Sequence, residues 1–207
     1  MMNFFRKKNK DKKIGLALGG GAVLGAAHIG VLKVIEEYNI SVSYAAGTSI
    51  GALTAALFAF GKKWNDIEDI AKNMHWLDIS EISLSRFGLL SNRKIGKIIT
   101  DNIGDVDFED SPVPLSMIAT DITTGEKIVL NKGSVADAVM ASTCIPGVFV
   151  PVEIDNRLLV DGGIVENVPV ATLKQAGADL IIGVDLHAGH ARKKPENIIE
   201  VLLRSFD

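Results

Sequence analysis

The sequence predicts an α/β fold of three layers, with a mainly parallel central sheet and helices on both of its faces. Short apolar runs that read as buried strands alternate with helical patterns through much of the chain, as expected when crossover helices return each strand to the same sheet. The junctions are marked by glycine, as at Gly19-Gly20-Gly21, Gly47 and Gly162-Gly163. With 207 residues, 47% of them hydrophobic and 23% charged, the chain suits one domain with a substantial core.

Residues 14–18 read as a short buried strand that ends in the three glycines. A helix follows over about 25–37, with Ile29, Leu32 and Ile35 on one face and Lys33, Glu36 and Glu37 on the other. Residues 42–46 form a second strand, and a helix with an Ile50, Leu53, Leu57 stripe runs to about residue 60. Residues 62–110 scatter Trp64, Trp76, Phe87, Leu89 and Leu90 among polar positions. Two amphipathic helices over the sheet, or an apolar wall or lid for an acyl chain, both suit that stretch. Strands at 115–120 and 127–130 flank the turn Thr123-Thr124-Gly125, and 135–142 is helical. Pro146 and Pro151 bracket an extended segment, and 157–160 is a strand running into Asp161-Gly162-Gly163. A helix at 169–175, a buried strand at 180–184 and an amphipathic helix from 196 to 206 complete the reading. Residues 1–13 stand apart as a flexible basic arm. The domain covers 14–207, its C-terminal limit left open because the last helix runs up to the chain's end.

The net charge of −3 divides unevenly. Six cations against Asp11 give residues 1–13 a charge of +5, which leaves −8 for the body. An acidic body argues against nucleic acid as a partner. The arm, with Met1, Met2, Phe4 and Phe5 ahead of its lysines, is either a solvated tail or a contact with an anionic membrane surface. The single cysteine, Cys144, rules out an intramolecular disulfide and a thiol–zinc cluster. Five glycines between Ile14 and Ala27 make that stretch a poor secretory signal. Positions 38–61 form 24 consecutive uncharged residues, but Gly47-Thr48-Ser49 interrupts them, so a buried strand-turn-helix explains the apolarity better than a membrane span. The expected location is the cytoplasm, with the inner membrane face open to the arm.

Three features carry chemistry. In Gly47-Thr48-Ser49-Ile50-Gly51 a serine sits between a strand and a helix. So sharp a turn needs small neighbours, exposes the serine oxygen and aims the Ile50 N–H at a developing oxyanion. A plain packing turn is the competing explanation. The second feature, Gly19 to Gly25, fails the dinucleotide G-x-G-x-x-G spacing in both registers, through Leu24 in one and Ala22 in the other. It reads instead as an oxyanion hole built from N–H groups of Gly20, Gly21 and Ala22 together with Ile50. In the third, Asp161 stands at a strand end, where it can take the serine proton or serve only as an Asp-Gly turn.

With these motifs in order, the chain resembles the patatin-like phospholipases, particularly the small bacterial members. The likeness spans residues 14 to about 190. It rests on the Gly-rich loop with His28-Ile29-Gly30-Val31-Leu32, on the Ser49 turn, on Ala141-Ser142-x-x-Ile145-Pro146-x-x-Phe149-x-Pro151, and on Asp161-Gly162-Gly163 with Asn167-x-Pro169. It implies a Ser49–Asp161 dyad acting on phospholipid or lysophospholipid esters, with no catalytic histidine, metal or cofactor. One departure is Leu24 where the family usually carries Arg or Lys, and Ala22 where a glycine is common. The missing cation leaves the head-group preference open.

The residues by themselves also allow a Ser–His–Asp triad using His187 or His190, since that chain order suits an α/β-hydrolase and a histidine base has a pKa near neutrality. Acyl transfer to an alcohol and a non-catalytic regulator are further readings. His28 is expected as a packed helix-face residue and His75 as a surface or lid residue. Cys144 has no His or Asp motif to make it a nucleophile.

Overall fold

The computed structural model describes residues 12–74, 81–82 and 90–187. Most of the basic arm, the helix expected at 196–206, and His75, Trp76, Phe87, Leu89 and His190 lie outside them. In chain order the elements are β1 (Ile14–Leu18), a 3-10 turn (Ala22–Gly25), α1 (Ala26–Glu37), β2 (Val42–Thr48), α2 (Ile50–Ala59), α3 (Trp64–Asn73), β3 (Glu81–Ile82), β4 (Leu90–Ser91) and α4 (Arg93–Ile103). Then come β5 (Leu115–Asp121), β6 (Lys127–Leu130), α5 (Val135–Ser142), β7 (Val152–Ile154), β8 (Arg157–Asp161), α6 (Val170–Gln175) and β9 (Leu180–Val184). Lys13 is already part of the fold, because its carbonyl accepts the Asp179 N–H at 2.8 Å and its own N–H reaches the Asp179 carboxylate at 2.9 Å.

The main sheet runs β7-β8-β5-β2-β1-β9, with β6 also paired to β5. β9, β1, β2 and β5 pair in parallel. β6 and β8 run antiparallel to β5, and β7 antiparallel to β8. The expected three-layer α/β architecture is present, and its sheet is mixed. Local turns account for the antiparallel half. Asp155 and Asn156 both take positive φ, 51° and 60°, the backbone that closes a two-residue hairpin between β7 and β8. Gly125, at φ 74°, helps close the turn between β5 and β6. Residues 147–150, expected as extended, begin with a turn. The Ile145 carbonyl accepts the Val148 and Phe149 N–H groups, and Gly147 supplies the φ of 78°.

Strand alternation sorts the two faces. Leu16 and Leu18 point into the larger core with Ala45, Met117 and Ala119, where α1, α2, α4 and α5 contribute Leu32, Leu57, Ile99 and Val139. Ala17 and Ala46 point the other way, onto Leu173 of α6. α2 is buried all round from Gly51 to Leu57 rather than along one stripe, because it lies against β2 and β5 while touching α3, α4 and α5. On α1 the buried residues are His28, Leu32 and Ile35, and Ile29 is only half-buried. α3 and α4 are amphipathic, as one of the two readings of this stretch expects, and send Ile67, Ile95 and Ile99 inward. Among the described residues, no helix is long and apolar enough to cross a membrane.

One junction positions the site. β2 pairs with β5 over Leu115–Ile118, and β8 pairs with β5 over Ala119–Asp121. β6 pairs with Met117–Thr120, overlapping both. A strand has two edges, so β6 takes one and β2 and β8 share the other. They run in opposite directions along it and meet C-terminus to C-terminus, Thr48 opposite Ile118 and Asp161 opposite Ala119. The chain leaves β8 by crossing over β5 so tightly that a Cβ on Gly162 would lie 2.2 Å from the Ile118 carbonyl oxygen.

Two alanine substitutions test this packing in opposite directions. Gly162→Ala forces backbone against backbone and is expected to cost about 1–3 kcal/mol or more. A Cβ on Gly30 in α1 meets nothing within 4 Å, so Gly30→Ala should stabilise by up to about 1 kcal/mol through helix propensity. Urea unfolding midpoints of the two variants check both signs.

Candidate active site

Ser49 adopts φ 54° and ψ −125°, a backbone that a side-chain-bearing residue enters at a cost of about 1–3 kcal/mol. The residues two positions before and after it must be glycine. A Cβ on Gly47 would stand 2.2 Å from the Gly51 carbonyl oxygen, and one on Gly51 would stand 2.1 Å from that of Leu18. Two hydrogen bonds hold the turn: the Ser49 N–H donates to Ser142 Oγ at 2.9 Å, and the Thr48 hydroxyl donates to the Glu166 carbonyl at 2.9 Å. Ser49 itself is half-buried.

The strand junction brings Ser49 and Asp161 into contact. The Ser49 hydroxyl donates to Asp161 Oδ2 at 2.6 Å, and Oδ1 accepts the Gly163 N–H at 2.8 Å. The Asp161 main chain is held too, with its N–H on the Cys144 carbonyl at 2.8 Å and its carbonyl accepting the Thr120 hydroxyl at 2.9 Å. Asp161 is 4% exposed. Burial pushes its pKa up to about 6, against the pull of the Ser49 and Gly163 hydrogen bonds. A carboxyl titrating there can accept a proton that an ordinary aspartate would not hold. Burial, with Asp161 nearby, pushes the Cys144 thiol up to about 12, so it stays protonated.

The Gly-rich loop leaves β1 beside this pair. The Gly19 N–H donates to the Val184 carbonyl at 3.0 Å, and His28 Nε2 lies 2.8 Å from the Gly19 carbonyl oxygen. The Gly20 N–H, expected to be available to an oxyanion, is engaged by Asn167: Oδ1 accepts it at 3.0 Å and the Asn167 carbonyl at 3.3 Å. Ile50 is the first residue of α2, where N–H groups have no intrahelical acceptor. Leu24 is 38% exposed at the 3-10 turn.

His187 lies just past the end of β9, its Nδ1 3.5 Å from Asn167 Nδ2 and its N–H on the Asp185 carboxylate at 2.9 Å. Both Asp161 oxygens face Ser49 and Gly163 instead. Among the described residues, no three His, Cys, Asp or Glu side chains converge to hold a metal ion.

Ser142, Glu166 and Asn167 join the site without having been singled out for it. Glu166 braces it from behind: Oε2 accepts Lys127 Nζ and the Thr172 hydroxyl at 2.8 Å each, and Oε1 accepts the Ala171 N–H at 2.9 Å. Burial alone would raise the Glu166 carboxyl, but Lys127 and Thr172 outweigh it and hold it below its usual range. Ser142 and Asn167 stood inside recognisable motifs, whereas nothing local marked Glu166.

A family model described as patatin-like phospholipase matches residues 16–174. The chain belongs to the patatin-like phospholipase family. An uncharacterized NTE family protein of Mycobacterium bovis is 35% identical over 202 residues, covering 92% of this chain and 54% of that protein. The neuropathy target esterase of Drosophila melanogaster is 36% identical over 181 residues, covering 84% of this chain and 13% of the esterase. The chain thus spans about half the length of the first relative and a small part of the second. Among solved structures, VipD from Legionella pneumophila shares the patatin-like fold with a TM-score of 0.63 at 17% identity, over 76% of this chain and 47% of VipD.

A buried aspartate with a raised pKa makes the site a local weakness at neutral pH. The folded chain keeps the Asp161 proton at pH values where the unfolded chain, near 3.9, has lost it. Stability from this group is therefore greatest below about pH 4 and falls as pH rises through about 6, by about 3 kcal/mol in total. Asp161→Asn should melt above the parent at pH 8, and the gap should close by about pH 4. Thermal melts at the two pH values check it.

Proposed function

We propose that the chain is a serine hydrolase of lipid acyl esters, of phospholipase or lysophospholipase type, with Ser49 as nucleophile and Asp161 as its base. The 2.6 Å contact between Ser49 Oγ and Asp161 Oδ2 carries the reading. Membership of the patatin-like family and likeness to NTE-family proteins support lipid-ester hydrolysis as the general activity.

Ser49 Oγ attacks the ester carbonyl as its proton passes to Asp161 Oδ2. The carbonyl oxygen becomes an anion, received by N–H groups of Gly21, Ala22 and Ile50, because Gly20 and Ser49 have theirs engaged by Asn167 and Ser142. The tetrahedral species collapses, the bond to the leaving alcohol or lysolipid breaks, and Asp161 returns the proton to that oxygen. Water then attacks the acyl-serine while Asp161 takes its proton. Release of the fatty acid restores Ser49 with that proton. This route uses the aspartate directly, in keeping with the contacts of Asp161 and with His187 lying against Asn167.

A fluorophosphonate ester should label Ser49, and Ser49→Ala should not be labelled. Asp161→Asn is expected to lower p-nitrophenyl ester hydrolysis by roughly 100- to 10,000-fold, while His187→Ala keeps most of it. The rate should rise with pH across about 6 as Asp161 loses its proton. A folded His187→Ala variant as inactive as Asp161→Asn would move the base to the histidine.

A further inference from the structure

The Gly19 carbonyl and the Gly20 N–H are the two ends of one peptide bond, and a side chain holds each end. His28 Nε2 lies 2.8 Å from the carbonyl oxygen, and Asn167 Oδ1 lies 3.0 Å from the nitrogen. A carbonyl only accepts, so His28 must carry its proton on Nε2. Burial lowers the His28 pKa, which keeps the ring neutral and able to donate at one nitrogen.

His28 is a poor choice for packing alone. It is fully buried, and its Nδ1 has no hydrogen-bond partner among the described residues. A buried polar atom left unmatched costs stability that an apolar side chain of similar size would not. Its one bond, to the loop, is what the residue contributes. Asn167 is placed as tightly. A Cβ on Gly20 would lie 2.7 Å from Asn167 Oδ1 and 3.1 Å from Ser49 Cβ, so glycine lets the peptide sit between the two.

We propose that His28 and Asn167 are positioning residues that clamp the Gly19–Gly20 peptide and thereby preset the N–H groups that follow it for the oxyanion. The proposal rests on the reading of Ser49 as nucleophile and of this loop as its oxyanion hole. Consecutive glycines have the widest backbone freedom of any residues, so an unpinned loop would spend time with its peptides turned away. Fixing one plane from both ends removes that freedom immediately before Gly21. Donors fixed in advance stabilise the transition state without reorganising, so their loss appears in kcat rather than KM.

The test pairs a structural readout with a kinetic one on the full chain. Amide hydrogen exchange by NMR reads the clamp directly. His28→Leu and Asn167→Ala should each speed exchange at Gly20 roughly tenfold or more while Leu16 in β1 stays protected. With a p-nitrophenyl ester, both variants should lose roughly 10- to 100-fold in kcat with little change in KM. His28→Gln, which can present a donor near the Nε2 position, should recover much of the His28→Leu loss. Asn167 is half-buried, so Asn167→Ala serves if His28→Leu fails to fold. Unchanged exchange at Gly20 in Asn167→Ala overturns the clamp. Faster exchange with unchanged kcat overturns its role in positioning the loop, and a raised KM with unchanged kcat makes Asn167 a substrate contact instead. A parent protein that neither hydrolyses the ester nor takes the fluorophosphonate refutes the catalytic premise, and the exchange data then still decide whether the clamp exists.

Discussion

β2 and β8 share one edge of β5 and run into each other end to end. A continuous sheet has no room for this arrangement unless both chains leave the sheet at the collision. β2 leaves through the strained turn at Ser49, and β8 leaves through the 3-10 turn at Gly162–Ile164. The two residues at the exits are the serine and the aspartate, so their contact follows from strand pairing. The glycines around them are required by the same crowding. Gly47 packs against Gly51, Gly51 against Leu18, and Gly162 against Ile118, each within van der Waals distance of backbone atoms.

The segment after Asp161 turns this junction into a rigid unit. Within a few residues it gives Gly163 to the aspartate, the Glu166 carbonyl to Thr48 and the Asn167 side chain to Gly20. All three parts of the site, the aspartate, the serine turn and the Gly-rich loop, are therefore bonded to one short stretch of chain. Glu166 anchors that stretch through its carboxylate to α6 and to Lys127 of β6. Hydrogen bonds to ionised groups are among the stronger ones in proteins, which suits a brace placed behind a strained turn.

The electrostatics follow from burial. Burial raises the Asp161 pKa to about 6, and two hydrogen bonds keep it from rising further. An aspartate with an ordinary pKa would be a weak base for a serine hydroxyl; a raised one is better matched to neutral pH. The penalty is a buried negative charge in the folded state above that pKa. The large core on the face covered by α1, α2, α4 and α5, with Leu16, Leu18, Leu57, Ile99 and Met117 fully buried, is a separate source of stability.

Much of this molecule was legible in its residues. Short apolar runs gave β1, β2, β5, β6, β8 and β9, and helical patterns gave α1, α2 and α5, all close to their observed limits, because burial leaves a direct trace in sequence. Ser49, Asp161 and the glycine loop were legible because a sharp turn and a close backbone approach restrict residue type locally. Other features were not. The hairpin Asp155-Asn156 that pairs β7 with β8 lacks the glycine that usually marks a two-residue hairpin turn in sequence. α2 showed only part of its burial, since a helix enclosed on several sides has no polar face to reveal its orientation. The roles of Ser142, Glu166 and Asn167 depend on partners far along the chain, and no local rule encodes a hydrogen bond across 147 residues. Sequence alone determined which chemistry-bearing residues exist and on what kind of turn each sits. Only the tertiary structure decided that the serine meets the aspartate directly, that His187 faces Asn167, and that the Gly20 N–H already has an acceptor. Those facts are set by strand register and by where chain segments cross, which are properties of the whole sheet.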